Sequence, residues 1–195
     1  MYDLLIKHFN RYVSLTPEEQ DLCIDFFQYR KLRKHQYLLQ EGDVSRHETY
    51  ILKGCIRVYE VDEKGQEHIL QFGVEDWWVG DLLSYWTGTP STLNIDCVED
   101  CEVLQITQEK NEELCMAIPK LERHFRKLIQ AAYVASQRRI HSSISKTALE
   151  RYQEFIAKYP EIDQRVPNHY IASYLGITPQ SLSRVRSHKP NSARS

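Results

Sequence analysis

The sequence predicts an α+β protein: an N-terminal β-roll or jelly roll, a long helix suited to dimerisation, and a C-terminal helix-turn-helix with little chain beyond it. Three observations carry this. Between positions 35 and 107, six of the seven glycines (Gly42, Gly54, Gly65, Gly73, Gly80, Gly88) separate short runs of alternating polarity. After Pro119, apolar residues recur at alternating spacings of four and three. Residues 168 to 187 then carry the small residue, the glycine and the apolar offsets of two helices crossing steeply.

The elements follow in order. Thr16 is an N-cap, Pro17 suits the first helical position and Glu19 the third, so residues 16 to 30 read as a helix with Leu22, Cys23 and Phe26 on its inner face. Ile56–Tyr59 and His68–Phe72 alternate as strands around a hairpin turn at Asp62–Gly65, and many short strands with regular turns mean a barrel or jelly roll. Beyond Ile106 the chain turns helical. Leu114 and Ile118 are in phase with Leu121, Phe125, Leu128, Ala132 and Ala135, and one such seam on one long helix is most simply satisfied by its copy, in a homodimer. Residues 146 to 159 form a further amphipathic helix that Pro160 ends. The polar stretch from His188 onward reads as disordered. The expected organisation is a β-roll domain over 1–118, a dimerisation helix over 119–144 and a helix-turn-helix domain over 145–195.

The chain has 195 residues, 42% of them apolar, and a net charge of −2. It has no run of the roughly 18 to 20 apolar residues that a membrane span needs, and MYDLLIKHFNRY is not a signal peptide, so no membrane partner and a cytoplasmic location are expected. Charge is unevenly placed. All 27 acids lie within residues 1 to 164 beside 20 basic residues, whereas residues 165 to 195 carry five basic residues and no acid. A basic module on an acidic body suggests a polyanion as partner.

Cys23, Cys55, Cys97, Cys101 and Cys115 lack CxxC pairing and read as buried thiols; Cys97 and Cys101 are expected on one face of one strand, too far apart to pair. Nucleophile elbows, phosphate-cradling glycine loops and paired catalytic carboxylates do not occur, so no enzyme is expected. Gly42, His47, Glu48 and Gly54 form a fragment of a cupin metal motif. Thr49 stands where the second histidine is needed, so no metal site is expected.

The helix-turn-helix is the most specific motif. Ala172 fits where the helices cross, Gly176 fits the turn, and Ile171, Leu175, Ile177, Leu182 and Val185 fill the core positions. Thr178 caps the second helix, with Pro179 at its first position. Gln180, Ser181 and Arg184 then lie on the outward face that enters a major groove, where Gln pairs with adenine and Arg with guanine. Thr178, Arg186, His188 and Lys189 are placed for phosphates.

With these motifs in this order, the chain resembles the Crp/Fnr transcription regulators. The carriers are Glu41-Gly42-Asp43 before Ile51-Leu52-Lys53-Gly54, the hairpin at Asp62–Gly65, Val79-Gly80-Asp81-Leu82, the helix after Pro119 and the motif at 168–187. The resemblance spans nearly the whole chain. It implies a cyclic-nucleotide-binding-like β-roll, a dimer helix, DNA and RNA polymerase as partners, and transcription regulation as function. Two departures are expected to matter: the stretch after Arg186 is too short for the two-stranded wing, and the N-terminal cysteine cluster of the oxygen-sensing branch is missing.

The resemblance also assigns an effector pocket to Gly80, Asp81, Leu82, Ser91 and Thr92, with Ser136 and Gln137 of the long helix at the base-reading positions. In members that bind cyclic AMP, a Glu takes the ribose hydroxyl and an Arg the phosphate; here Asp81 and Ser91 stand at those positions. Losing roughly 3 kcal/mol with the arginine would weaken binding more than a hundredfold. Residues 41 to 113 add 17 acids against five basic residues. No cyclic-nucleotide cofactor is therefore expected, and any effector is a different small molecule. Trp77, Trp78, Tyr85 and Trp86 add bulk that either fills this pocket or lines one for an uncharged ligand. The competing reading is a β-roll sensor that signals through protein contacts without specific DNA binding.

Overall fold

A computed structural model describes residues 2 to 187; the expected phosphate contacts of His188 and Lys189 and the expected disorder of the tail lie outside them. The chain starts with two short helices, α1 (Asp3–Phe9) and α2 (Pro17–Asp25). The Thr16 hydroxyl accepts from Glu19 N while the Glu19 carboxylate accepts from Thr16 N, closing a capping box. The helix ends at Asp25 rather than near residue 30. The following residues are captured by a long-range pairing: β1 (Gln28–Leu32) lies antiparallel to a strand more than seventy positions later.

Two four-stranded antiparallel sheets form the roll. β1, β8 (Cys101–Thr107), β3 (His47–Lys53) and β6 (Trp78–Val79) make one, and β2 (Tyr37–Leu39), β7 (Asn94–Cys97), β4 (Ile56–Val61) and β5 (Glu67–Gly73) the other. Their inner faces bury Leu32, Ile51, Ile56, Val58, Ile95 and Val103. The β4–β5 hairpin turns on Gly65 at φ +76°, while the Asp62 carboxylate accepts from Lys64 N and Gln66 N. Gly54, at φ +106°, abuts Cys101 so closely that any Cβ would collide with its sulfur.

Cys97 and Cys101 do not share a strand. One ends β7, the other begins β8, and the chain changes sheets between them, which brings their thiols beside one another in the core. All five cysteines are free and buried.

α4 (Gln108–Ala117) leads into α5 (Lys120–Ser145), whose first turns pack into the core of α1, α2 and the outer face of the first sheet. Leu121 and Phe125 are spent there, in contact with the chain's own β-roll. The apolar side chains that α5 exposes are Ile129, Tyr133, Val134, Ile140 and Ile144, so its open stripe is displaced from the predicted seam and extends closer to the C-terminus. Of the remaining seam positions, Leu128 and Ala135 are half-buried and Ala132 is exposed.

α6 (Ala148–Lys158), α7 (Ile162–Arg165), α8 (Asn168–Leu175) and α9 (Pro179–Ser187) complete the described chain. They are docked on the β-roll. β5 is an edge strand, and its outer backbone groups are satisfied from the helical side: Ser173 Oγ accepts from Ile69 N at 2.9 Å and donates to Glu67 O at 2.8 Å, and Arg139 of α5 donates to the carbonyls of Ile69 and Leu70. The buried Arg57 guanidinium donates to both Asp96 oxygens, at 2.7 and 2.9 Å, and lies between the Tyr59 and Tyr170 rings. Arg165 bridges Glu75 and Glu99 of the roll. Part of the charge asymmetry thus serves this contact.

Candidate nucleic-acid interface and effector cassette

The helix-turn-helix is built as its residues dictate. α8 ends at Gly176, which takes the left-handed φ of +64° that the turn needs. Ile171, Ala172, Leu175 and Leu182 are buried together with Tyr152 and Phe155 of α6, so α9 is held by a three-helix core. The Thr178 hydroxyl accepts from Ser181 N at 3.2 Å as N-cap. Gln180, Ser183 and Arg184 are exposed, and Arg184 Nη2 donates to Ser181 Oγ at 3.3 Å. Gln180, Ser181 and Arg184 therefore project together from the first turns of α9.

Arg186 differs from the phosphate-facing expectation. Its guanidinium turns back onto the module, donating to Asp163 at 2.5 Å, to Asn168 at 2.5 Å and to the Tyr152 hydroxyl at 3.2 Å. The acid that captures it lies two residues before the acid-free stretch, on the short helix α7, which periodicity had not marked.

The cassette runs from β6 through α3 (Leu82–Thr87) to β7. Asp81 caps α3: its Oδ1 accepts from Leu83 N at 3.0 Å and Ser84 N at 3.3 Å. Its other oxygen accepts from the Ser91 hydroxyl at 2.7 Å, and both side chains are buried. The two residues that would divide a ribose and a phosphate between them are thus bound to each other. Thr92 and Leu82 are exposed, and Gly80 lies against Glu48 so tightly that a Cβ there would meet the carboxyl group. Burial first, and then the Asp81 charge, push the Glu48 carboxyl up to about 8.

Ser136 and Gln137 are exposed on α5 and are not brought to this cassette within the chain. The aromatic residues do not gather in it either. Trp78 meets Tyr50 and Phe27 at tilted angles and Phe125 edge-to-face in the helical core, while Trp77 packs on Tyr159 of the docked module. Tyr85 is buried edge-to-face with the exposed Trp86. Trp77 precedes β6 and Trp78 begins it, and their rings join different clusters. Side-chain alternation along β3 puts His47 and Glu48 of the cupin-like fragment on opposite sides of that strand.

Sequence reading missed a cavity at the mouth of the roll, lined by Arg30, Arg46, His47, Thr49 and Gln105 among others. Arg30 lies in the stretch read as a helix, so nothing in the local pattern placed it beside residue 105. Among the described residues no helix is long and apolar enough to cross a membrane.

Comparison with known proteins agrees with this construction. Residues 29–117 match the cyclic nucleotide-binding domain. The transcriptional activator protein Anr of Pseudomonas aeruginosa is 24% identical over 185 residues, covering 89% of this chain and 75% of that protein. The fumarate and nitrate reduction regulatory protein of Vibrio cholerae is 27% identical over 186 residues, covering 88% and 73%. Among solved structures, FixK2 from Bradyrhizobium japonicum shares the fold at a TM-score of 0.71 and 18% identity, covering 86% of this chain and 90% of that one. With a cyclic nucleotide-binding domain, a long connecting helix and a helix-turn-helix in that order, the chain is similar over most of its length to regulators of the Crp/Fnr type.

Proposed function

We propose that this protein is a homodimeric, cytoplasmic, sequence-specific DNA-binding transcription regulator whose β-roll responds to something other than cyclic AMP. The observation that carries the reading is the presentation of Gln180, Ser181 and Arg184 from the start of a firmly packed recognition helix. The names of the relatives, a transcriptional activator and a regulatory protein, support it. On this reading the chain divides into the sensor over 1–118, the dimer helix over 119–144 and the DNA-binding module over 145–195, and RNA polymerase is the further partner. The exposed stripe Ile129, Tyr133, Ile140 and Ile144 supports pairing of two α5 helices, which would set two recognition helices about one turn of DNA apart.

The test is selection of bound DNA from a random pool by the full chain, with and without cyclic AMP and cyclic GMP. A palindrome enriched equally in all conditions is expected, with Gln180→Ala and Arg184→Ala each costing about 1–3 kcal/mol at one base position per half-site. Absence of any enriched palindrome overturns the reading. Affinity that ignores sequence and survives both substitutions would favour a sensor acting by protein contacts.

A further inference from the structure

We propose that Cys97 and Cys101 are a thiol pair that peroxide oxidises, and that their reversible disulfide loosens the helical module from the roll.

The pair sits at a joint. Cys97 ends β7 in one sheet, Cys101 begins β8 in the other, and Val98, Glu99 and Asp100 cross between them. Both ends of this loop are fixed. His35 N donates to Cys97 O at 2.7 Å and Cys97 N donates to Gln36 O at 3.1 Å, while Cys101 lies so close to Gly54 that no side chain fits between them. The loop is also where the module docks: Val98 and Cys55 share a cluster with Phe155, Ile162 and Val166, and the Glu99 carboxylate holds Arg165 of α7. The Cys101 thiol ties this joint together. Its acceptors are Glu99 O at 3.2 Å and Cys55 O at 3.5 Å, and Cys55 O also accepts from Val98 N at 2.8 Å. Both cysteines are buried, but the loop that joins them reaches solvent at Asp100, so local opening of three residues admits a molecule as small as hydrogen peroxide.

The other three cysteines are protected by their surroundings. Burial pushes Cys23, Cys55 and Cys115 up to about 12, which keeps them as unreactive thiols. Cys101 is instead held below its ordinary range by the hydrogen bond it accepts from Cys97, and the same bond, with burial second, raises Cys97. Cys101 is therefore the nucleophile and Cys97 the resolving partner. The Cys101 thiolate attacks one oxygen of hydrogen peroxide; the O–O bond breaks, leaving a sulfenic acid on Cys101 and releasing hydroxide. Cys97 then gives up its proton and attacks the Cys101 sulfur, so that the S–S bond forms, the S–O bond breaks and a second hydroxide leaves. The two thiol protons convert both hydroxides to water: peroxide gains two electrons and the sulfur pair loses them. A dithiol reverses the step by exchange. Once bonded, Cys101 has no proton for the carbonyls of Glu99 and Cys55, and both belong to residues that hold the docked helices.

The test needs no DNA and is made on the full chain, so it is independent of the proposed function. Reduced protein is treated with a small molar excess of hydrogen peroxide, its remaining thiols are alkylated, and cross-links are mapped by mass spectrometry. A loss of two hydrogen atoms is expected, with the cross-link between Cys97 and Cys101, alkylation of Cys23, Cys55 and Cys115, and full reversal by dithiothreitol. Backbone hydrogen exchange over residues 162 to 175 should rise on oxidation and return on reduction. In Cys97→Ser, dimedone should trap a sulfenic acid on Cys101, whereas Cys101→Ser should trap none on residue 97. The mapping on the parent chain stands even if either variant folds poorly. Absence of the cross-link, a cross-link to any other cysteine, or exchange over 162 to 175 unmoved by oxidation overturns the proposal.

Discussion

Ser91 Oγ donates a hydrogen bond of 2.7 Å to Asp81 Oδ2 inside the cassette, so the two side chains on which the resemblance would place a cyclic nucleotide are occupied by each other. Removing the hydroxyl leaves a buried carboxylate oxygen without its partner. Ser91→Ala should therefore lower stability by about 2 kcal/mol in urea unfolding. Cyclic AMP at millimolar concentration should shift the Tm of neither the parent nor this variant.

Glu48 opposes stability at alkaline pH. Its carboxyl titrates near 8 in the folded chain against about 4.5 when exposed, so the folded state holds the extra proton and stability declines as pH rises from about 4.5 through 8. Glu48→Gln keeps the shape and removes the proton. The variant should be more stable than the parent at pH 8.5 and nearly equal at pH 5, as read from denaturation midpoints at both values.

His124 acts at the other end of the pH range. It is fully buried on α5 against Phe9 and His8, and burial, with the His8 charge second, lowers it from 6.5 to about 4. The unfolded chain therefore binds the proton first, and stability is lost as pH falls from about 6.5 towards 4, by roughly 3 kcal/mol at the limit. His124→Phe should flatten this acid limb in a pH series of thermal unfolding. His8, lowered by the same burial despite its 2.8 Å contact with Asp76, should account for the slope that remains.

The displaced stripe on α5 separates folding from association. Tyr133→Asp or Ile144→Asp should shift sedimentation from dimer to monomer while leaving the unfolding midpoint of the roll nearly unchanged, because both side chains are exposed within one chain. Leu121→Ala should do the reverse, costing about 2–5 kcal/mol of stability through the cavity it leaves in the core.

The local signals in the chain were enough to determine the Thr16–Glu19 capping box, the hairpin turn at Gly65, the left-handed turn at Gly176 and the capping of α9 by Thr178. In each the deciding feature is local, either a side chain that satisfies backbone groups a few residues away or, at Gly176, a glycine that takes a positive φ, so spacing alone reveals it. The same holds for the family, the outward placement of Gln180 and Arg184, and the lack of a cassette arginine. Tertiary structure alone decided which partners distant residues meet. Pairing with β8 turned residues 28–32 from helix to strand, and Asp163 drew Arg186 inward. Docking on the roll consumed Leu121 and Phe125 and moved the exposed stripe of α5 onward. Arg30 reached the cavity beside His47 only because β1 and β3 both pair with β8, a neighbourhood set by register between strands far apart in the chain.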